Sequence, residues 1–143
     1  MPPDFDPIPG AEGWQVSNPP ILQLAALRAS MDIFDQVGMD RLRAKSEQLT
    51  GYLESLLDHH ALDGIRLITP RDPQQRGAQL SLRIARNGKT LHERLTQANV
   101  LCDWREPDVI RVAPAPLYNT FMEVYTFVNH LVTAHADVIC QGS

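Results

Sequence analysis

Apolar residues recur along this chain with two different periods, and each change of period marks a new element. From Ile21 the positions Ile21, Leu22, Leu24, Ala25, Leu27, Ala29, Met31, Ile33 and Phe34 repeat at helical spacing. Pro19 and Pro20 suit the start of a first turn, and Gly38 suits its end because glycine tolerates the left-handed conformation of a helix stop. A second, longer amphipathic helix is expected from Met39, with Leu42, Leu49, Tyr52, Leu53, Leu56 and Leu57 inward and Arg41, Lys45, Glu47 and Glu54 outward, running out near Asp63-Gly64. The period then shortens to two. "IRLITP" and "AQLSLRIA" read as strands, the second alternating Leu80, Leu82 and Ile84 against Ser81 and Arg83, with "RDPQQRG" as a turn-rich loop between them. "KTLHERLTQANV" carries Leu91, Leu95 and Ala98 on one face of a short helix, and "LCDW" and "VIRVAP", separated by "REPD", read as a strand pair. Asn119 or Thr120 can cap a last helix whose positions Phe121, Val124, Tyr125, Val128 and Leu131 repeat at three and four. With short links between most elements, this order predicts a mixed α/β protein of the α+β type: a mainly antiparallel sheet of three to four strands with helices on one face.

The first 20 residues break this periodicity. Pro2, Pro3, Pro7, Pro9, Pro19 and Pro20, with Gly10 and Gly13, remove backbone donors and block regular pairing, so 1–20 is expected to be an extended arm and 21–143 the folded domain. A chain of 143 residues is large enough for one ordinary core. Its 43% hydrophobic and 21% charged residues match a globular protein and exclude a disordered or fibrous one. Thirteen Lys and Arg against 17 Asp and Glu leave a net charge of −4 with no basic run, so nucleic acid is not an expected partner. No apolar run approaches the roughly 20 residues of a membrane span, and no cationic-then-apolar leader opens the chain. A cytoplasmic location is expected, with Cys102 and Cys140 reduced.

Two residues stand out chemically. Arg111 interrupts the apolar run "VIRVAPAPLYNTF", and on a strand it faces away from Ile110 and Val112. One reading is a solvated or salt-bridged arginine on the polar face; the other is a carboxylate clamp, since a planar guanidinium offers two parallel hydrogen bonds to an amino-acid carboxylate. Asn18 precedes Pro19-Pro20, which holds it extended and presents its amide, either as a turn or cap residue or toward a ligand. His59, His60, His92, His130 and His135 lack paired ligand spacing, so they are expected at the surface and no metal is expected. A glycine-rich phosphate loop, a G-x-S-x-G elbow and a cysteine nucleophile with a helper are all missing. No residue of this chain is therefore expected to be catalytic by itself.

The stretches "GWQVSNPPI", "LRAS", "IFDQVGMDRLRAKSEQLTGYLE", "ITPRDPQQRGAQLSL" and "CDWREPDVIRVAPAPLYNTF" follow one another over nearly the whole chain, the most specific being "SNPPI", "RAKSEQLTGYLE" and "IRVAPAPLYN". In them the chain resembles the C-terminal third of kynureninase, a pyridoxal-phosphate enzyme of the aspartate aminotransferase fold. It implies the small C-terminal domain of that fold and a homodimeric enzyme that hydrolyses L-kynurenine to anthranilate and L-alanine in tryptophan breakdown. It also implies that Arg111 holds the substrate's α-carboxylate. By the same resemblance Asn18 lies near the pyridoxal 5'-phosphate phosphate group and the aromatic part of the substrate, with Ser17 beside it in the substrate wall.

In that family the lysine that bonds the cofactor and most other cofactor contacts belong to a large domain that would precede Met1. Neither Lys45 nor Lys89 stands in the context of that lysine. A C-terminal fragment, inactive alone and not binding the cofactor, is the expectation. The alternatives are a stand-alone module that binds carboxylates through Arg111, and a structural module that only folds and self-associates.

Overall fold

Leu80, Leu82 and Ile84 alternate with Ser81 and Arg83, and the segment Leu80–Ile84 (β2) lies inside a four-stranded sheet. Its neighbours are Ile65–Leu67 (β1) and Val109–Val112 (β4), with Asp103–Arg105 (β3) outside β4, all paired antiparallel in the order β1-β2-β4-β3. The computed structural model of the chain describes residues 6–141, so Pro2 and Pro3 of the expected arm lie outside the described residues.

Period-two alternation sends Leu80, Leu82, Ile84, Ile110 and Val112 to one face of the sheet, where helices cover them. Leu49 and Leu53 come from Met39–His60 (α2), Leu91 and Leu95 from Gly88–Gln97 (α3), and Val124, Val128, Leu131 and Ala134 from Phe121–Gln141 (α4). Each fully buried leucine among them contributes about 1.5–3 kcal/mol relative to exposure. The expected antiparallel sheet with helices on one face is the observed one, and on the other face Arg66, Arg83 and Arg105 are exposed and Ser81, Asp103, Val109 and Arg111 partly so.

The last helix turns differently from its expected stripe. Phe121 and Tyr125 are both close to half exposed, while Val124, Val128, Leu131, Ala134 and Val138 are buried. At 3.6 residues per turn, positions 121 and 125 lie about 80° and 120° around the helix from the centre of that buried line. The start of α4 resolves the choice of cap. Thr120 Oγ1 accepts from the Glu123 N–H at 3.2 Å, and Glu123 Oε2 accepts from the Thr120 N–H at 2.7 Å, a reciprocal capping box. Asn119 instead closes the preceding turn, its Oδ1 accepting from the Ala115 N–H at 2.8 Å.

The loop between β1 and β2 is clamped to α2. Arg76 makes a two-pronged ion pair with Glu54, and the side chains are only 3% and 12% exposed. Arg71 forms a second fork onto Asp58, and Arg43 donates to the carbonyls of Pro73 and Arg76. Gly88, the first residue of α3, is required by a close approach: a Cβ there would sit 2.8 Å from the Trp104 ring and 3.1 Å from Ile84 Cβ. Gly88→Ala is therefore expected to destabilise the chain by about 1–3 kcal/mol through overpacking. A chemical-denaturation midpoint equal to that of the parent chain would show that the ring has room to move.

The chain divides into two compact units, 1–39 and 40–143. The first contains a one-turn 3-10 helix at Ala11–Trp14 and the helix Ile21–Val37 (α1). Gly38 ends α1 at φ +84°, its N–H bonded to the Phe34 carbonyl at 2.8 Å. None of the side chains of α1 is buried, although its apolar positions have helical spacing.

Candidate functional site

The sheet face turned away from the core carries the charged residues. Register places Asp103, Arg111 and Ser81 in one row across β3, β4 and β2, with Arg105, Val109, Arg83 and Arg66 in the adjacent row. Arg111 reaches this face because Ile110 and Val112, its neighbours in β4, point into the core. Its side chain is 32% exposed.

The guanidinium is already oriented. Its Nε donates to Asp103 Oδ2 at 2.6 Å and its Nη2 donates to the same oxygen. Arg105 Nε donates to that oxygen too, at 2.9 Å. The Arg111 hydrogen bond, first among the causes, holds the Asp103 carboxyl below the usual carboxylate range, so it is an anion at neutral pH. Two cations and one anion leave this cluster with a net charge of +1. Ser81, opposite Arg111, accepts at Oγ from Gln79 Nε2 at 3.3 Å and is tied through its N–H to Thr69 Oγ1 at 2.8 Å. The salt-bridged strand arginine weighed from the sequence is thus present, and it leaves one edge of the guanidinium for a further anion.

Ser17 and Asn18 lie in the first unit, adjacent to each other in an exposed bend, with the Ser17 carbonyl accepting from Gln15 Nε2 at 2.8 Å. Arg111 lies in the second unit. The lysines are engaged elsewhere. Lys45 Nζ donates to the Pro116 carbonyl at 2.6 Å, tying α2 to the loop that follows β4, and Lys89 is exposed with Glu106 at 4.0 Å. A lysine that bonds a pyridoxal phosphate has to offer a free amine in a desolvated pocket. Neither of these does, so the residues of this chain do not by themselves fit covalent attachment of that cofactor.

The remaining candidates are structural. Burial pushes the Cys102 thiol up to about 11, which keeps it protonated and unreactive at neutral pH. Not every histidine is at the surface as expected: His92 is half-buried, its Nε2 2.9 Å from the Cys102 carbonyl and its ring beside Trp104. A hollow of about 410 Å³ lined by residues such as Cys102, Val112, Phe127 and His130 does not include Arg111. Among the described residues, no helix is long and apolar enough to cross a membrane. Asp103 escaped the sequence reading, although counting back across the "REPD" turn from Val109 opposite Arg105 would have put it opposite Arg111.

Comparison with known proteins adds the following. The family model described as "Kynureninase C-terminal domain" matches residues 42–131. A kynureninase of Myxococcus xanthus (strain DK1622) is 62% identical over 131 residues, covering 92% of this chain and 31% of that protein. One from Xanthomonas campestris pv. campestris (strain B100) is 57% identical over 136 residues, covering 93% and 32%. One from Koribacter versatilis (strain Ellin345) is 54% identical over 132 residues, covering 92% and 31%. The chain therefore spans about a third of the length of these relatives. A solved NIFS-like protein superposes with a TM-score of 0.66 at 20% identity, over 89% of this chain and 37% of that one, which shows a shared aspartate aminotransferase-like fold.

Proposed function

The chain belongs to the kynureninase family through its C-terminal domain, and from that premise we propose that it supplies the substrate-carboxylate anchor of a pyridoxal-phosphate-dependent enzyme that hydrolyses L-kynurenine to anthranilate and L-alanine. The observation that supports the reading is Arg111 itself: a partly exposed guanidinium on the sheet face turned away from the core, fixed along one edge by Asp103. Pyridoxal phosphate, when bound, would supply an electron sink for negative charge developing at the amino-acid α-carbon.

What the residues of this chain do in that reaction is bind and orient. Arg111 takes the α-carboxylate by two parallel charged hydrogen bonds and so sets which way the amino acid lies. Asn18 and Ser17, in the exposed bend before Pro19-Pro20, are assigned to the cofactor phosphate and the aromatic ring of the substrate. No general acid or base is assigned to this chain. The complete enzyme is proposed to be a cytoplasmic homodimer.

Because Lys45 and Lys89 are committed or exposed, the 143-residue chain alone is expected neither to turn over kynurenine nor to take up the cofactor covalently. The enzyme of kynureninase length that contains it is expected to do both. Anthranilate release, followed by its fluorescence, and the visible absorption of the bound cofactor check this. Turnover by the isolated chain, or none by the complete enzyme with its cofactor added, would each overturn the reading.

A further inference from the structure

We propose that Asp103 is a positioning residue for substrate recognition: it holds the Arg111 guanidinium by its Nε–Nη2 edge so that the Nη1–Nη2 edge is presented to the incoming carboxylate. The proposal rests on the anchor role assigned to Arg111 above and extends it to a residue that the sequence reading did not single out.

A guanidinium has five N–H donors in a rigid plane and two edges that match a carboxylate. In this structure Asp103 Oδ2 occupies one of them, accepting from both Nε and Nη2 of Arg111. Nη1 makes no hydrogen bond among the described residues and Nη2 keeps its second N–H, so the Nη1–Nη2 edge remains to fork onto a ligand. An arginine side chain loses rotamer freedom when it is fixed. Asp103 imposes that cost in the protein before substrate arrives, so binding does not bear it.

The carboxylate of Asp103 is itself restrained. It sits on β3 directly across from Arg111, in a backbone-paired register, and Arg105 Nε holds the same oxygen from two residues along. An aspartate beside a carboxylate site would ordinarily repel the ligand. Here Arg105 offsets that charge, and the cluster of Arg111, Arg105 and Asp103 has a net charge of +1, matching one incoming carboxylate. The ionised state of Asp103 fits this arrangement, because a protonated carboxyl could not accept all three hydrogen bonds as strongly.

The test uses the complete enzyme with its cofactor, in variants Asp103→Ala and Asp103→Asn, assayed with L-kynurenine and with its decarboxylated amine analogue as a competitive inhibitor. The expected result is a KM for kynurenine raised about tenfold in Asp103→Ala and less in Asp103→Asn, which keeps one acceptor oxygen. The kcat should stay within about twofold, and the Ki of the carboxylate-free analogue should not move. A merely structural role would shift kynurenine and the analogue together, and that outcome overturns the proposal. So does a lowered KM, which would make Asp103 a competitor for Arg111 rather than its support. If both variants keep the parental KM while Arg111→Lys loses kynurenine binding, the positioning role is wrong and the anchor stands. If Arg111→Lys also leaves kynurenine binding unchanged, the anchor has failed and the positioning role fails with it.

Discussion

Arg111→Lys in the complete enzyme is expected to lower kcat/KM for L-kynurenine by about 1.5–3 kcal/mol, the range for a hydrogen bond to a charged group, which is roughly ten- to a hundredfold. The ammonium keeps the charge but not the plane, so it cannot reproduce the two-bond fork. It also cannot keep both bonds to Asp103 Oδ2 in their present geometry. Cofactor loading should be normal, because no part of Arg111 is assigned to the cofactor. Stability should change little, since the lysine stem still packs along β4. Asn18→Ala is expected to differ in kind, weakening cofactor retention or ring placement rather than carboxylate binding. A parental kcat/KM in Arg111→Lys would leave Arg111 as a salt-bridged strand residue and nothing more.

Arg76→Ala is expected to produce the largest loss of stability among single surface-loop changes, about 3 kcal/mol, because it strands a carboxylate in a nearly closed site. Glu54 is 12% exposed and receives both arms of the Arg76 fork. The same guanidinium donates to the Pro70 carbonyl at 3.1 Å, so the loop before β2 loses its tie to α2 as well. Replacing Arg76 and Glu54 together by apolar residues of similar volume should cost much less than Arg76→Ala alone, since no unpaired charge is then left. Urea denaturation of the three proteins measures this. Equal midpoints for Arg76→Ala and the parent chain would mean that water reaches Glu54 freely and the pair adds nothing.

The fold was readable where one period held for several residues. The alternation of Leu80, Leu82 and Ile84 and the spacing of Leu49 and Leu53 marked the strand and the helix that pack together in the core. Phe121 and Tyr125 were misplaced because spacings of three and four admit a band wider than the buried line. Pattern also could not locate α1: its apolar positions have helical spacing, yet the chain divides after Met39 and none of them is buried. Periodicity reports that a face is apolar, not what covers it. The Arg76–Glu54 clamp was invisible for a related reason, since a pair 22 residues apart has no local signal.

For the site, Arg111 was legible because one charge in an apolar strand must point away from the core. Its partner was not, although the register needed to find Asp103 was implicit in the short turn between β3 and β4. The prolines alone put Ser17 and Asn18 on an extended segment, whereas both residues lie in an exposed bend. Their part in a site rests on family membership rather than on geometry.

Recognition of a carboxylate by Arg111 is measured by comparing the Kd of L-kynurenine with that of its decarboxylated amine in the complete enzyme and in Arg111→Lys. The parent enzyme is expected to prefer the carboxylate-bearing ligand by at least about tenfold, and Arg111→Lys to remove most of this preference by weakening kynurenine alone. A preference of the same size in both proteins would contradict it.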